Sequence, residues 1–326
     1  MSDSKIVVRD QGAIREIRLN RPDVHNALDE ELIEALTGAF EEVTAAVEEA
    51  TGDESFWVPG NGHGEGPPTA YDVPGVPRGI ILSGEGASFC SGADIEYMRR
   101  IGQRNEAENL ADARRVSRLF QAIRGCPVYT IARVQGAALG GGTGLLAACD
   151  LAVSADDCTF GFTEVQLGIL PCVISPFVLD RIGPTHGRAW FPTGERFDAA
   201  TALRIGLVNR VVPAAELDSA IASTVKVLLS AAPSASRQAK RLVEMVAFSL
   251  PLQLDLEQNL GSDQGSSHPH DCDDPTHDHD EEYDEHTSVF DETARWIAAL
   301  RAGAEGREGL AAFLEKRKPG WFIPPR

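Results

Sequence analysis

The stretch GAALGGGTGLLAACD, Gly136 to Asp150, decides how this chain is read. Gly140, Gly141 and Gly142 stand in a row between two apolar runs, VYTIARV and GLLAACDLAV. Glycine inside a buried segment costs backbone entropy and offers no side chain to pack, so three together need a reason in the backbone. A strand that ends in glycines and turns directly into a helix exposes the free N–H groups of the first helical turn, with no Cβ in a ligand's way. Those donors and the helix dipole hold negative charge. Many buried strand–helix turns also use glycine for packing alone, so a second feature is needed.

The stretch GEGASFCSGADIEYM, Gly84 to Met98, supplies it. It follows the strand pattern GIILSG, passes through small residues and enters a helical pattern. Two such turns, facing one another, aim one N–H each at a single oxygen. That is a two-donor oxyanion hole, which stabilises charge developing on a carbonyl.

Strands and helices alternate around these turns. KIVVRDQGAIREIRLN reads as a hairpin around DQG, and DEELIEALTGAFEEVTAAVEEA as a helix with Asp29 at its N-cap. NEAENLADARRVSRLFQAIRGC is an amphipathic helix ending at Gly125, CPVYTIARVQG a strand, and LAVSADDCTFGF a strand pair. The short helix DAATALRIG precedes the strand LVNRVV. From Glu216 to Ser249 and from Phe290 to Lys318 the pattern is helical. Strands feeding helices for two thirds of the chain, then helices to the end, predict an α/β core with an all-helical C-terminal part.

Two segments break the pattern. Asp53 to Gly79 is rich in Gly and Pro and reads as a long irregular excursion. Ser262 to Ser288 has ten acidic residues, no Lys or Arg, and five of the eight histidines, so without it the formal charge moves from −19 to −9. It reads as a solvated, disordered excursion. Its histidines and carboxylates suit zinc, nickel or copper but lack the fixed spacing of a structural site, so no metal site is assigned. The charge of −19 argues against nucleic acid or an anionic membrane as partner, while leaving room for a local basic patch and a phosphate-bearing ligand. Six scattered cysteines without a CxxC pair, and an opening MSDSKIVVRD without an apolar h-region, predict reduced thiols, no secretory signal and a cytoplasmic protein.

Five segments, LNRPDVHNALDEEL, FCSGADI, VQGAALGGGTGLLAACD, FGFTEVQLGILP and GREGLAAFLEKRKPGW, are similar in order and spacing to the signature segments of the crotonase, or enoyl-CoA hydratase/isomerase, superfamily. The resemblance runs from about Lys5 to Trp321, apart from the two unusual segments. It implies a spiral of ββα units over residues 1–210, a helical trimerisation region over 211–326, and an acyl-CoA thioester as substrate with no further cofactor. A homotrimer or a dimer of trimers would follow. By resemblance, the N–H groups of Ala93 and Gly141 form the oxyanion hole, and the turn holding Ser91, Ala93, Asp94 and Ile95 binds the adenine of CoA. Phe313 and Lys316 match positions that reach a neighbouring subunit's CoA; without the motif they would read as a core aromatic and a solvated lysine.

Hydratases of the best-known type carry a glutamate at the slot held here by Gly144, and a second glutamate some twenty residues on, present here as Glu164. Two carboxylates divide the work of orienting water and moving the proton. With one of them missing, Glu164 is the expected acid/base, its pKa raised by apolar neighbours. His25, His63 and His186 are bases by type without a neighbouring orienting group, Cys172 reads as pocket lining, and Asp112 is a candidate second acid. Single-carboxylate precedents include the enoyl-CoA isomerases and the methylglutaconyl-CoA and isohexenylglutaconyl-CoA hydratases, which the sequence resembles more closely. Hydration is therefore expected ahead of isomerisation. A catalytically weak acyl-CoA-binding or scaffold protein, whose acidic segment binds metal or a partner, is the reading from a different class.

Overall fold

The computed structural model describes residues 4–51, 75–260 and 289–324. The acidic segment 262–288, including Cys272, lies outside the described residues, as do His63 and the Gly/Pro-rich segment up to residue 74.

The hairpin forms as its pattern requires, from β1 (Ile6–Gln11) and β2 (Ile14–Leu19), paired antiparallel with Gln11 opposite Ile14. Asp29 then caps α1 (Glu30–Thr51), accepting from Leu32 N at 2.8 Å. β3 (Gly79–Gly84) leads through a turn to α2 (Ile95–Ile101), capped by Asp94, and to α3 (Glu106–Arg124), whose Asn105 and Glu108 make a reciprocal capping box. Next come β4 (Tyr129–Val134), β5 (Ala137–Leu139) and α4 (Gly141–Ala148), followed by β6 (Leu151–Ala155), β7 (Thr159–Gly161) and α5 (Ser175–Trp190). β8 (Arg196–Asp198), α6 (Ala199–Arg204) and β9 (Arg210–Val212) complete the α/β part, and α7 (Leu217–Ser230), α8 (Pro233–Leu260), α9 (Val289–Ala302) and α10 (Ala304–Leu314) form the helical C-terminal part.

The large sheet has the order β1-β2-β3-β4-β6-β9, parallel from β2 onward, and a smaller sheet has the order β5-β7-β8. This corrects the expectation that 151–162 is a strand pair. β6 joins β4 and β9, whereas β7 crosses to the small sheet between β5 and β8. The units β4-β5-α4 and β6-β7-α5 each send the first strand to the large sheet and the second to the small one before the helix. The turn after β3 follows the same rule in reduced form, pairing Cys90 with Ala138 as an isolated parallel bridge.

Period-two alternation sorts the large sheet's side chains. Ile17, Leu19, Ile80 and Leu82 face a core shared with Leu32, Leu36 and Phe40 of α1, Phe120 and Ile123 of α3, and Leu145 and Leu146 of α4. α8 is held to β4 by Asp150, whose Oδ2 accepts from Thr130 N and Oγ1 at 2.7 and 2.9 Å and pairs with Lys240 Nζ at 2.9 Å. Among the described residues no helix is long and apolar enough to cross a membrane.

Candidate active site

The three glycines do three different things. Gly140 lies at φ 48°, ψ −120°, which turns the chain from β5 into α4; a side chain would strain that backbone. Its carbonyl accepts from Thr143 N at 2.9 Å and from the Thr143 hydroxyl, so the buried Thr143 ties the turn closed. Gly141 opens the helix, and its N–H has no intrahelical acceptor. Gly142 allows close approach: a Cβ there would lie 2.2 Å from the Cys90 carbonyl oxygen.

Cys90 belongs to the second turn. Cys90 N donates to Ala137 O, and Leu139 N donates to Cys90 O, both at 3.0 Å. Two residues on, a Cβ on Gly92 would stand 3.7 Å from Gly141 N. The two strand–helix turns thus face one another. On the far side, Leu28 N donates to Gly92 O at 2.8 Å and Asp94 N donates to Leu28 O at 2.9 Å, so the Ala93 N–H is left out of the backbone hydrogen bonding among the described residues. Ser91 N donates to His25 O at 3.0 Å, and Ile95 is exposed. The Asp94 side chain is fully engaged: Oδ1 accepts from Glu96 N and Tyr97 N at 2.9 and 3.1 Å, and Oδ2 lies 2.9 Å from Arg21 Nη2. Burial alone would raise its pKa. The Tyr97 N–H, Arg21 and the Glu96 N–H outweigh that and hold the carboxyl below its ordinary value.

Sheet register brings Glu164 to the glycines. Leu139 of β5 is level with Gly161 of β7, and Gly140 N donates to Gly161 O at 2.9 Å. A single 3₁₀ turn, Thr163–Leu167, then folds Glu164 back over Gly140. Its Oε1 lies 3.2 Å from where a Gly140 Cβ would be, and its buried Oε2 has no hydrogen-bond partner among the described residues. Burial pushes the carboxyl above its ordinary value. The aromatic wall beneath comprises Phe162, 4.9 Å from Phe191 and 5.6 Å from Phe197 between ring centroids.

The slot at Gly144 is closed. A Cβ there would fall 2.4 Å from Ile174 Cγ2 and 2.9 Å from Phe120 Cε1, both on buried residues. The position that carries a carboxylate in two-glutamate hydratases is here filled with hydrocarbon. Asp112, the expected candidate for a second acid, is buried on α3 with Oδ2 accepting from Tyr97 Oη at 2.6 Å and Oδ1 3.2 Å from Arg115 Nη2. Burial, reinforced by Asp112, pushes the Tyr97 hydroxyl far above its ordinary value, so it stays a donor.

The other expected residues are more dispersed. Phe313 is 81% exposed on α10, and Lys316 is exposed just beyond it. His25 Nδ1 lies 3.1 Å from Ser88 Oγ, His186 is half-buried on α5, and Cys172 is exposed. Cys90, Cys126, Cys149 and Cys158 are buried free thiols, with Cys90 and Cys149 pushed up to about 12 by burial. A separate cavity of about 550 Å³ on the outer face of the large sheet is lined by Glu16, Arg18, Ser83, Arg133, Gln135 and Asp218 among others. Its two guanidinium groups are already paired, Arg18 with Glu16 and Glu85, and Arg133 with Asp218. The residue that sequence reasoning missed is Arg21. Its only signal was its place in LNRPDVHNALD, ahead of the carboxylates that it binds.

The family model described as enoyl-CoA hydratase/isomerase matches residues 75–271. A probable enoyl-CoA hydratase of Mycobacterium bovis is 34% identical over 317 residues, covering 96% of each chain. The mevalonyl-coenzyme A hydratase of Aspergillus fumigatus is 31% identical over 242 residues, 74% of this chain and 76% of that one. Among solved structures, an enoyl-CoA hydratase from Shewanella pealeana matches with a TM-score of 0.73 at 28% identity, covering 97% of this chain and 96% of the other.

Proposed function

The chain belongs to the enoyl-CoA hydratase/isomerase family, and within it we propose that the protein hydrates a branched or carboxylated 2-enoyl-CoA, with Glu164 as its acid/base. The observation that carries this reading is the Glu164 carboxyl, desolvated and unpartnered at Oε2 against the first of the glycines. Raising a carboxyl's pKa by burial brings it closer to the range in which one group can both take and return a proton.

The thioester oxygen is placed between the N–H groups of Ala93 and Gly141. Glu164 takes a proton from water as the C–O bond forms at the β-carbon. The double-bond electrons move onto the thioester oxygen, and the two donors stabilise the enolate. The same carboxyl returns the proton to the α-carbon, so one carboxylate completes the addition of water. Because the Asp94 side chain is committed to Arg21 and the α2 cap, the loop Ser91–Ile95 offers its backbone to the adenine. In a trimer, Phe313 and Lys316 would reach a neighbouring copy's CoA. The name of the mevalonyl-coenzyme A hydratase relative supports a branched acyl group.

The closed slot at Gly144 favours a second reading, isomerisation, in which Glu164 alone carries a proton between two carbons of an enoyl chain. A panel of straight-chain 2-enoyl-CoAs, 3-enoyl-CoAs and methylglutaconyl-CoA, with products weighed by mass spectrometry, tests both. Hydration adds the mass of one water and is expected with methylglutaconyl-CoA. Conversion of 3-enoyl-CoAs without mass change would transfer the assignment to isomerisation. Acyl-CoA binding without turnover of any member would leave a binding or scaffold role.

A further inference from the structure

Arg21 sits in the loop between β2 and α1, just before the 3₁₀ turn Pro22–Val24, with its side chain 15% exposed. Its Nη2 lies 2.9 Å from Asp94 Oδ2 and 3.1 Å from Asp29 Oδ2, and its Nη1 donates to Ala27 O. The two carboxylates have matching second duties. Asp29 Oδ1 caps α1 through Leu32 N, and Asp94 Oδ1 caps α2 through Glu96 N and Tyr97 N. One guanidinium therefore joins the N-caps of two helices.

What lies between those caps is the Leu28–Ala93 parallel bridge. Leu28 spends its N–H and C=O on Gly92 and Asp94, the residues either side of Ala93. In a parallel bridge of this kind the N–H of the middle residue points away from its partner strand. For Ala93 the side away from Leu28 is that of β5, to which the same turn is bridged through Cys90 and Ala138. The backbone bonds set the direction of the Ala93 N–H. The distance between the caps, and so the depth at which Ala93 sits opposite Gly141, depends on what holds Asp29 and Asp94 together. Two carboxylates side by side repel, and a planar fork with several donors binds both at once, which a lysine ammonium does less well.

We propose that Arg21 is a positioning residue for the oxyanion hole, holding Ala93 N–H in register with Gly141 N–H by clamping the caps of α1 and α2. This inference rests on the reading of those two N–H groups as the oxyanion donors. The loop also has hydrogen bonds that do not involve the guanidinium: the Arg21 backbone N–H donates to Asn26 Oδ1 at 2.8 Å, and Asn26 Nδ2 donates to Glu85 O and Ser88 O at 2.9 and 2.8 Å.

The test combines Arg21→Lys, Arg21→Met and Arg21→Ala with two readouts in the full-length protein. The first is kinetics on the fastest substrate of the panel. A misplaced donor is worth less than a lost one, so kcat per folded site should fall about 10- to 100-fold with KM within about threefold. Guanidinium chloride at low concentration should restore part of the rate in Arg21→Ala and none in Arg21→Met, whose side chain fills the space. The second readout is the infrared stretch of the thioester carbonyl in bound, carbonyl-labelled crotonyl-CoA. It should shift to lower frequency in the native protein and by less in the variants. Native kcat per folded site and a native carbonyl shift in Arg21→Lys and Arg21→Met would overturn the inference and leave the oxyanion reading standing. A rise in KM alone would also overturn it, moving Arg21 to the holding of CoA. The absence of any carbonyl shift in the native protein would overturn the oxyanion reading itself, and the inference with it.

Discussion

Glu164, the proposed acid/base, would be worth most to the chemistry in the state that costs the fold most. A carboxyl with a buried oxygen left unpartnered is cheaper to bury neutral than charged, and burial holds the Glu164 pKa above its ordinary value of 4.5. The folded chain keeps this proton over a window in which the unfolded chain has lost it. In that window the native state binds more protons, so stability falls as pH rises from about 4.5 through the raised pKa. Glu164→Gln should therefore match the native protein in melting temperature at about pH 4, exceed it increasingly as the pH rises from about 4.5 through the raised pKa, and keep a constant lead above that. A gap that stays constant throughout in calorimetry would mean that the carboxyl is not desolvated. The same variant should lose roughly 10²–10⁴ of the rate with little change in acyl-CoA affinity. Gly144 makes the converse case. Gly144→Ala drives a methyl group into Ile174 and Phe120, and overpacking of this kind costs about 1–3 kcal/mol. Adding Ile174→Ala should return part of that loss, and strict additivity in denaturant titration would contradict the contact. The candidacy of Glu164 was legible in the sequence because a short run, FTEVQLG, carries it. The closure of the Gly144 slot was not, because Phe120 arrives from α3 and Ile174 from the residue before α5.

The elements around α4 meet by close approach of backbone, which glycine alone permits here. At Gly142 the obstacle to any side chain is the Cys90 carbonyl oxygen, and a carbonyl held at 3.0 Å by Leu139 N has little freedom to retreat. Gly142→Ala should thus cost at least about 1–3 kcal/mol. It should also lower kcat, since Cys90 opens the turn that ends at Ala93. A stable variant with native kcat would show that the two turns do not act as one unit. Gly141→Pro removes one N–H at the first helical position, where proline's missing donor is tolerated, although its Cβ would lie 2.8 Å from Leu28 Cδ1, which must move aside; loss of the proposed oxyanion donor should lower the rate about 10²–10³ in protein that remains folded. Element types were largely legible, because Asp29, Asp94, Asn105, Gly125 and the apolar periodicity punctuate the helices locally. Pairing was not. LAVSADDCTFGF reads as two strands joined by a turn, yet β6 and β7 pair with different sheets. Nothing local in ADDC records that choice; the partners of β7 are β5, where Ala137 pairs with Thr159, and β8, further on.

At the scale of the whole molecule, the helical C-terminal part is joined to the core through Leu217 and Ile221 of α7, Lys240 of α8 and the Arg78 guanidinium. Trp296, Ala312 and Trp321 are buried, and Arg78 at the head of β3 donates to Leu229 O, Ala231 O and Trp321 O at 3.0, 3.3 and 3.1 Å. Beyond that anchor α10 turns an apolar stripe outward. Leu310, Phe313 and Leu314 fall at i, i+3 and i+4, with Leu314 77% exposed. Leu167, Ile169 and Leu170, the residues that follow Glu164, are exposed as well. Isolated exposed apolar residues are ordinary, but a helical stripe of them marks an interface. A chain of formal charge −19 gains nothing electrostatically from association with its own copies, so the uncharged stripe is where such copies would meet. The expected outcome is that the protein sediments as a trimer or a dimer of trimers, with a melting temperature that rises with protein concentration. Phe313→Asp places a charge in the stripe and should release smaller species. Because its side chain has little to lose from the folded chain itself, that variant should keep native far-ultraviolet circular dichroism. If Phe313 also reaches a neighbour's CoA, KM for the acyl-CoA should rise as the assembly comes apart and recover in Phe313→Tyr, which keeps the ring. A native protein that sediments as a monomer at every concentration would remove the interface, and a Phe313→Asp assembly of unchanged mass would move it elsewhere on the surface.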